Sequence, residues 1–211
     1  MQLAIFGATG RTGKLMLDQA LAAGHTVTAI VRHPNKLETS PSPALRVVVA
    51  DVMNPPKVAA EIAQVDAVIS TISSPGRAPS TVMTDSVTSI ITAMDDTARK
   101  RPVVISGSMV DTTGDSFLLR RVAKPMARRV FSGSYQDMRA AEAVIHNSDL
   151  LWTIMRPPRL TDKPKVGSFR TAIDTNLPRA NMLSRGDLAQ ATIATLNDPA
   201  TIGHHVFLGP A

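Results

Sequence analysis

Three glycines near the N-terminus have the spacing of a turn that holds phosphate groups. Gly7, Gly10 and Gly13 follow a short apolar run and precede apolar residues with helical spacing. Where a strand meets a helix in this way, free backbone N–H groups and the positive end of the helix dipole can face a pyrophosphate. The turn therefore predicts a dinucleotide site, and the alternative is a glycine-rich connection that binds nothing. The predicted contacts are Gly7, Thr9, Gly10, Arg11, Thr12 and Gly13.

The end of the next apolar run indicates which dinucleotide binds. NAD-specific folds carry an acidic residue here, which accepts hydrogen bonds from the ribose hydroxyls, but this chain has Arg32. A guanidinium can bind a 2′-phosphate through two hydrogen bonds, and Arg11 could supply a second positive charge. The sequence therefore favours NADP(H) over NAD(H). The alternative is an arginine on a solvated loop.

Two further strand ends carry residues suited to the nucleoside part of a cofactor. After the third predicted strand, Asp51 could accept a hydrogen bond from the adenine amino group while Val52 packs on the ring. A polar loop residue is the alternative for Asp51. After the fourth predicted strand, Ser70, Thr71 and Ile72 begin a stretch of mostly small residues that would let the backbone pass under a ribose.

These residues must be positioned by strands that alternate with helices. Predicted strands cover residues 3–6, 26–31, 45–50, 67–70, 102–105, 151–155 and 205–208, and predicted helices cover 11–23, 57–64, 81–99, 134–146 and 185–196. Alternation implies parallel pairing through right-handed crossovers, and strands that are apolar on both faces imply a covered sheet. The prediction is an α/β fold: a Rossmann-type, doubly wound, mainly parallel sheet with helices on both faces. Its ligands would lie at the carboxyl ends of the strands.

The length of 211 residues fits one domain that spans residues 1–211. Within it, the proline-containing part at about 157–183 looks irregular, with a short strand around 166–171. This part is the expected place of substrate contacts. Ser184 is the expected N-cap of the last helix.

Composition excludes several classes of protein. The chain has no cysteine, which excludes disulfides, thiolate catalysis and cysteine zinc sites. Its five histidines lack metal-ligand spacing, so no metal is expected. The net charge of +6 suits nucleic acid or an anionic cofactor, and the lack of a nucleic-acid-binding motif favours the cofactor. We expect a cytoplasmic monomer or homodimer with no nucleic-acid or membrane partner.

Residues 117–131 are basic and amphipathic. The expected arrangement is an apolar side that covers the cofactor cleft or an oligomer edge, with the charges in solvent. Binding to an anionic membrane or to nucleic acid is the alternative. Pro125 is expected to divide the segment into two short helices.

Four motifs together resemble the atypical short-chain dehydrogenase/reductases. They are the turn at 7–13, Val31-Arg32, Ser106-Gly107-Ser108 and the run from Arg156 to Asp162. Within that superfamily, almost the whole chain is similar to the NAD(P)H-binding group that includes flavin reductase/biliverdin-IXβ reductase and the NmrA-like proteins. The resemblance implies a Rossmann fold, NADPH as cofactor and reduction of flavins or other conjugated acceptors.

The resemblance also implies roles for residues after the fifth and sixth strands. Ser108 matches a serine that lies near the nicotinamide, and Pro157 and Pro158 match residues that line the nicotinamide pocket. The expected cofactor contacts in these two motifs are Ser106, Gly107, Pro157, Arg159 and Leu160.

The predicted helix 134–146 departs from the Tyr-x-x-x-Lys pair of ordinary short-chain dehydrogenases. Tyr135 and Arg139 occupy these positions, and their spacing puts them on one helix face. With Ser108 they are the catalytic candidates, although an arginine does not simply replace a lysine. The alternative is a surface tyrosine beside an arginine. A flavin acceptor would not require the tyrosine, because solvent can supply the proton.

The sequence thus predicts an NADPH-dependent oxidoreductase that transfers hydride to a flavin, quinone-like or related conjugated acceptor. Its acceptor pocket is expected to contain Ser108, Met109, Pro157, Arg159 and Phe169. The alternative is an NmrA-like protein that senses NADP(H) by binding it without turnover. A nucleotide-sugar epimerase is disfavoured, because the short C-terminal half leaves little room for a sugar-nucleotide domain.

Overall fold

The computed structural model describes residues 1–74, 78–94 and 101–211. The described strands are β1 (Gln2–Phe6), β2 (Thr26–Val31), β3 (Leu45–Val49), β4 (Ala67–Ser70), β5 (Arg101–Ile105), β6 (Thr153–Arg156), β7 (Arg159–Thr161), β8 (Phe169–Ile173), β9 (Met182–Ser184) and β10 (His204–Pro210). The described α-helices are α1 (Arg11–Ala22), α2 (Pro55–Ile62), α3 (Val82–Met94), α4 (Lys124–Val130), α5 (Ser132–His146) and α6 (Arg185–Thr195). Residues 95–99 of the predicted helix 81–99 lie outside the described residues.

The main sheet has the strand order β3-β2-β1-β4-β5-β6-β10-β8. The neighbouring strands from β3 to β10 pair in parallel, and β8 pairs with β10 in the antiparallel direction. The chain starts at β1, winds outward to β3 and then returns to β4 on the other side of β1. This confirms the predicted doubly wound, mainly parallel Rossmann-type sheet. The carboxyl ends of the parallel strands meet at one edge, called here the carboxyl edge, where such folds bind ligands.

Side chains that alternate along β1 pack under helices on both faces of the sheet. Leu3 and Ile5 belong to a buried cluster that includes residues of α1 and α6. Ala4 and Phe6 belong to a second cluster, which includes residues of α2 and α3. A third cluster joins α3 and α5 to β5 and β6. Burial on both faces explains why the central strands are apolar at nearly every position.

The region expected to be irregular, 157–183, contains short strands. Strands β7 and β9 pair in parallel as a separate two-stranded sheet. The strand expected around 166–171 lies slightly later, as β8. Three-residue strands are too short to give a periodic pattern, so the sequence does not reveal β7 and β9. The predicted N-cap of α6 is confirmed, because the Ser184 side chain accepts a hydrogen bond from the Asp187 N–H at 3.0 Å.

Residues 117–131 form one helical segment, so the prediction of two helices divided at Pro125 is wrong. The backbone is helical from 117 to 130, with a π-helical turn at Leu119–Ala123 that runs directly into α4. The Lys124 N–H donates to the Leu119 carbonyl. The wider π turn therefore precedes Pro125, which lacks an N–H and would clash inside a regular α-helix. The direction of the helix changes later, at Phe131, where φ is −112° and ψ is 37°.

The orientation of this segment also differs from the expected one. Its cations Lys124 and Arg128 turn inward, onto the backbone of residues 108–111. Apolar side chains such as Phe117 and Leu118 are instead exposed to solvent, by 76% and 67%. The apolar side therefore does not cover the cleft. Among the described residues, no helix has the length and apolar character needed to cross a bilayer.

Three of the five histidines meet around Asp174, just after β8. His204 Nδ1 lies 2.5 Å and His205 Nδ1 lies 3.1 Å from the Asp174 carboxylate, and His146 Nε2 lies 2.9 Å from His205 Nε2. The spacing along the chain does not predict these contacts, because Asp174 has a φ of +55° and follows a strand antiparallel to β10. The described residues contain no group of three or more acidic, histidine or cysteine side chains that could hold a metal ion.

Candidate dinucleotide site

The glycine turn lies at the carboxyl edge, where β1 ends and α1 begins. The Gly10 N–H donates to the Gly7 carbonyl at 2.9 Å, and the Lys14 N–H donates to the Gly10 carbonyl at 2.9 Å to start the helix. Gly10 is the N-cap, so no side chain caps this helix end, and the first turn has no acidic residue. The first N–H groups of α1 and its positive dipole end are therefore suited to a phosphate.

Two of the glycines are required by the turn, and the third leaves space beside it. Gly7 has a φ of +79°, and a Cβ there would lie 2.6 Å from Thr71 Oγ1. A Cβ on Gly13 would lie 2.0 Å from the Gly7 carbonyl oxygen. A Cβ on Gly10 would meet that same oxygen at 3.2 Å, and its φ of −83° suits any residue. Gly10 can thus carry a side chain without breaking the turn, at the cost of space beside the helix end.

A cavity of about 520 Å³ opens beside this turn, at the ends of β1, β2, β3 and β4. Its lining contains seven of the predicted cofactor contacts, which are Gly7, Thr9, Gly10, Arg32, Val52, Thr71 and Ile72. Asp51 is not in the lining, and its carboxylate accepts a hydrogen bond from the Met53 N–H at 3.0 Å. The cavity has the apolar walls and the phosphate-binding end that an adenosine half of a dinucleotide needs.

Cations surround the phosphate end of this cavity. Arg32 lines it, and an adjoining cavity of about 240 Å³ contains Arg11, Lys14 and Lys36. Lys14 pairs with Glu38 at 2.8 Å. That hydrogen bond raises the pKa of Lys14 and lowers the pKa of Glu38. Lys14 is therefore already paired, and Arg32 and Lys36 supply the positive charge that suits an anionic group.

Arg11 also links the turn to the C-terminal part of the chain. Its guanidinium lies 2.9 Å from the Asp162 carboxylate, which Arg185 binds from the other side at 2.6 Å. These pairs join the start of α1 to the segment after β7 and to the start of α6.

A second cavity, of about 130 Å³, lies further along the carboxyl edge between the ends of β4 and β5 and the helix α5. Thr71 and Ser73 line both this cavity and the larger one. The predicted contacts Thr12, Ser106 and Leu160 line it as well. The Ser106 hydroxyl oxygen is buried and has no hydrogen-bond partner within the described part of the chain. An unpaired buried hydroxyl in such a lining suits a polar ligand group such as a carboxamide.

The catalytic candidates Tyr135 and Arg139 do not line this cavity. Helix α5 presents Ser134 and Met138 to it, each one residue before the candidate. The Tyr135 ring instead packs between the guanidiniums of Arg128, 4.8 Å from the ring centre, and Arg139, 5.8 Å away. One residue corresponds to a rotation of about 100° on a helix, which is enough to turn a side chain away from a site.

Hydrogen bonds of the backbone hold the motif Ser106-Gly107-Ser108, which follows β5, beside the smaller cavity. The Ser108 N–H donates to the Pro157 carbonyl at 2.9 Å, and Lys124 Nζ donates to the Ser108 carbonyl at 2.7 Å. Ser108 and Pro157 are therefore adjacent, as the resemblance implies, but neither lines the cavity. A Cβ on Gly107 would lie 3.3 Å from Met138 Sδ, so this glycine permits close packing against α5. Arg159 is exposed.

The predicted contact Ser70 lies at the end of β4, below the two cavities. Its side chain is buried, with 1% exposed, and its hydroxyl oxygen has no hydrogen-bond partner among the described residues.

Comparison with known proteins agrees with this geometry. Residues 7–199 match a protein family described as NAD(P)H-binding. The chain belongs to this family. An uncharacterized chloroplastic protein of Arabidopsis thaliana is 27% identical over 200 residues, which cover 91% of this chain and 70% of the relative. The uncharacterized protein YwnB of Bacillus subtilis is 24% identical over 207 residues, which cover 94% of this chain and 93% of the relative.

Solved structures share the fold along its whole length. A short-chain dehydrogenase/reductase of Veillonella parvula in complex with NADP superposes with a TM-score of 0.83 at 17% identity, covering 99% of this chain and 94% of the other. ChuY, an anaerobilin reductase of Escherichia coli O157:H7, superposes with a TM-score of 0.74 at 20% identity, covering 100% of this chain and 97% of the other. These likenesses show the fold, and the family match confirms the expected resemblance to an NAD(P)H-binding family.

The sequence analysis missed Asp137, which binds two residues that line the smaller cavity, Ser74 and Met83. Its buried carboxylate in α5 accepts hydrogen bonds from Ser74 Oγ, from the Met83 N–H at 3.0 Å and from the Thr84 N–H at 2.8 Å. Burial alone would raise the pKa of Asp137, but these hydrogen bonds outweigh it and hold the pKa below its ordinary value. Asp137 therefore caps α3 and fixes the loop after β4. Nothing in the spacing distinguishes it from an acidic residue on a helix surface.

A buried ion pair joins helix α5 to the end of β6 and to the loop after Ser108. Arg156, at the end of β6, binds Glu142 of α5 through Nε at 3.1 Å and Nη2 at 2.5 Å, and its Nη1 lies 3.3 Å from Asp111. Arg156 and Glu142 are 5% and 3% exposed. Arg156 belongs to a motif chosen for cofactor contacts, yet its side chain joins β6 to α5 and to the loop after Ser108.

Proposed function

We propose that the protein is an NADPH-dependent reductase that transfers hydride to a flavin, quinone-like or related conjugated acceptor. The bound dinucleotide supplies the hydride. The chain binds and orients the two reactants at the carboxyl edge. Proximity and orientation of this kind can contribute a large part of a rate enhancement.

The observation that carries this proposal is a pair of cavities along the carboxyl edge that share two lining residues. The larger one begins at the free N–H groups of α1 and contains Arg32, and the smaller one contains the unpaired Ser106 hydroxyl. Because Thr71 and Ser73 line both, an extended dinucleotide could run from one to the other. Its reactive end would then lie beside Ser106 and Leu160.

The preference for NADPH is supported by the positively charged residues in and beside the larger cavity. Arg32 stands where NAD-specific proteins carry an acid, and Lys36 lines the adjoining cavity, in which Lys14 is already paired with Glu38. A 2′-phosphate would gain charge-assisted hydrogen bonds there. Arg11 contributes less than the sequence suggests, because its guanidinium already binds Asp162.

The choice of acceptor is supported by what α5 presents to the smaller cavity. Ser134 and Met138 line it and Tyr135 does not, so the helix offers no phenol to a carbonyl oxygen. A flavin or quinone-like acceptor can take its proton from water. We place the acceptor beside the smaller cavity, towards the residues that follow β5 and β6. The acceptor contacts expected from the sequence, Ser108, Met109, Pro157, Arg159 and Phe169, do not line that cavity, and Pro157 is buried.

The test is NADPH oxidation by the purified chain, followed at 340 nm with FMN, FAD and a set of soluble quinones. We expect sustained oxidation with at least one of them and a faster reaction with NADPH than with NADH. Gly10→Val should abolish it, whereas Lys57→Gln, on the surface of α2, should leave it unchanged. Turnover that is confined to simple aldehydes or ketones would contradict the choice of acceptor.

A second candidate function is NADP(H) sensing without turnover, and the orientation of Tyr135 is the observation that favours it. A chain that binds the dinucleotide but lacks an acid in the cavity could signal through a partner. Tight binding of NADPH by calorimetry, together with no oxidation on any acceptor, would support sensing and contradict the reductase.

A further inference from the structure

The 117–131 segment exposes a set of apolar side chains on one side. Leu118, Val122, Met126 and Val130 recur at every fourth residue and are exposed by 67%, 50%, 59% and 43%, and Phe117 beside them is exposed by 76%. Residues four apart lie on the same face of a helix. A soluble protein rarely leaves so many neighbouring large apolar side chains in water, and such a patch marks an interaction surface.

Positive charge borders this apolar face. The stretch from residue 116 to residue 136 contains four arginines and one lysine and no acidic residue. Arg120, Arg121 and Arg129 are exposed together with the apolar side chains. The surface therefore combines an apolar face with cations at its borders, which is the combination that binds anionic lipid surfaces.

The orientation of the segment is fixed by its inward-facing cations. Lys124 Nζ donates to the Ser108 carbonyl at 2.7 Å and pairs with Asp115 at 2.7 Å. Arg128 donates to the Met109 carbonyl at 2.8 Å and to the Val110 carbonyl at 3.0 Å. Turning the apolar face inward would break all of these contacts. The exposed apolar face is thus a stable property of the fold.

The charges decide between the possible occupants of this face. A symmetric contact with a second copy would bring the same arginines together, and like charges repel. Nucleic acid would pair with the arginines but would leave the apolar side chains in water. An anionic bilayer binds both the apolar side chains and the arginines, because the apolar side chains enter the boundary of the acyl chains and the arginines stay at the lipid headgroups.

We propose that the 117–131 segment docks the protein on the surface of anionic lipid bilayers. The docked chain lies on the membrane and does not cross it. This inference does not rest on the proposed reductase activity, because the exposed apolar and cationic side chains of the segment lie outside the linings of both cavities.

The test is co-sedimentation of the full chain with vesicles of phosphatidylcholine alone and of phosphatidylcholine with 30% phosphatidylserine. We expect binding to the anionic vesicles, weaker binding at high salt and little binding to the neutral ones. Each arginine near the surface is worth about fivefold in affinity, so Arg120→Gln/Arg121→Gln/Arg129→Gln should reduce binding by about 100-fold. Leu118→Ser/Met126→Ser should weaken binding to the anionic vesicles as well, because it removes two apolar side chains that would enter the acyl boundary. Both sets of residues are exposed, so the variants should keep the thermal unfolding midpoint.

Two matched controls remove similar groups elsewhere on the surface. Val49→Ser removes an apolar side chain that is 64% exposed on β3, and Lys57→Gln removes an exposed cation of α2. Both should bind vesicles like the unchanged chain. The proposal is overturned if the chain ignores both kinds of vesicle, binds them equally, or binds equally with and without the 117–131 substitutions. It is also overturned if those substitutions leave vesicle binding intact and instead dissolve a dimer or abolish binding to duplex DNA.

Discussion

The Ser74 hydroxyl donates a hydrogen bond to the carboxylate of Asp137, and this contact joins the loop after β4 to helix α5. The same carboxylate caps α3 through the backbone of Met83 and Thr84. Three elements at the carboxyl edge therefore meet at one buried charge. Ser73, the neighbour of Ser74, lines both cavities, so the shape of the candidate dinucleotide site depends on Asp137.

Replacement of Asp137 should therefore reduce both stability and cofactor affinity. An asparagine keeps the size of the side chain but presents an N–H₂ group to donors, so Asp137→Asn should lower the free energy of unfolding by about 1–3 kcal/mol. Urea unfolding measures this, and calorimetry should show weaker NADPH binding. Asp149→Asn, at an exposed position, is the control and should stay within about 0.5 kcal/mol of the unchanged chain. Equal stability of the two variants would mean that the carboxylate is not needed as a cap.

The glycine turn predicts two different results for two neighbouring glycines. A valine at Gly10 would place its Cβ 3.2 Å from the Gly7 carbonyl oxygen, a tight contact that a small shift relieves, and its methyl groups would fill the space beside the start of α1. Gly10→Val should therefore still fold but lose measurable NADPH binding. An alanine at Gly13 would place its Cβ against the Gly7 carbonyl, so Gly13→Ala should lower the unfolding midpoint itself. Circular dichroism and calorimetry on both variants separate the two effects. Unchanged NADPH affinity in folded Gly10→Val would rule out a pyrophosphate at this turn.

Arg32 should determine the choice between the two nicotinamide dinucleotides. A charge-assisted contact to the 2′-phosphate is worth about 1.5–3 kcal/mol, so NADPH should bind at least about 10-fold more tightly than NADH. Arg32→Ala should narrow this difference mainly by weakening NADPH. Arg46→Ala is the matched control, because Arg46 on the adjacent strand β3 binds Glu61 and lines neither cavity. If Arg32→Ala weakens both dinucleotides equally, Arg32 contacts another part of the ligand.

The main sheet and the glycine turn could be predicted from the sequence because their signals are local. A strand such as β1 that is buried on both faces is apolar at nearly every position, and glycines that a turn requires have fixed spacing. The contacts of Asp137 with Ser74 and Thr84 could not be predicted in this way, since they join residues more than fifty positions apart.

The orientation of the 117–131 segment was unpredictable for another reason. Its amphipathic pattern defines two sides but not which of them faces the protein. That choice depends on the free carbonyls of residues 108–111, which Lys124 and Arg128 satisfy. The rotation of α5 about its axis could not be predicted for the same reason. Ser134 and Tyr135 differ by one position, and the packing of α5 against its neighbours decides which of the two lines the cavity.

The histidines that lie near Asp174, namely His146, His204 and His205, predict a loss of stability in mild acid. Burial lowers the pKa of His146, and burial together with nearby Arg156 lowers the pKa of His205. In the unfolded chain both titrate near the ordinary value of about 6.5, so the unfolded state takes up these protons first. The contribution of these two histidines to the free energy of unfolding should be fully present above about pH 6.5. It should be lost as the pH falls from there through the lower pKa values of the folded state.

The single tryptophan reports on these two histidines. The Trp152 ring lies 5.0 Å from that of His146 and 5.5 Å from that of His205, measured between centroids. Unfolding followed by Trp152 emission between pH 7 and 5 should show the decline, and His146→Gln/His205→Gln should flatten it. His33→Gln, at an exposed position, should not. A decline that persists in the double variant would assign it to other groups.

Tyr135 should contribute little to hydride transfer, because its ring packs between Arg128 and Arg139 and lies outside the cavity lining. We expect Tyr135→Phe to retain the proposed flavin reductase activity with a loss in kcat of less than about 10-fold, whereas removal of a general acid typically costs about 10²–10⁴-fold. Steady-state kinetics with FMN and NADPH measure this. Ser106→Ala is the informative comparison, since the Ser106 hydroxyl lies in the cavity lining and has no hydrogen-bond partner among residues 1–74, 78–94 and 101–211.

The pattern across these variants distinguishes three roles for the residues. If Ser106→Ala raises the KM for NADPH and Tyr135→Phe changes nothing, the hydroxyl orients the dinucleotide and the proton comes from water. If Tyr135→Phe loses kcat within the larger range while NADPH affinity is kept, Tyr135 is a proton donor, α5 must rotate during the reaction, and the physiological substrate is a carbonyl compound. If Tyr135→Phe weakens only NADPH binding, then Tyr135 and Arg139 hold the cofactor and have no part in the chemistry. The first pattern is the one we expect, because Ser134 and Met138 occupy the positions on α5 that face the cavity.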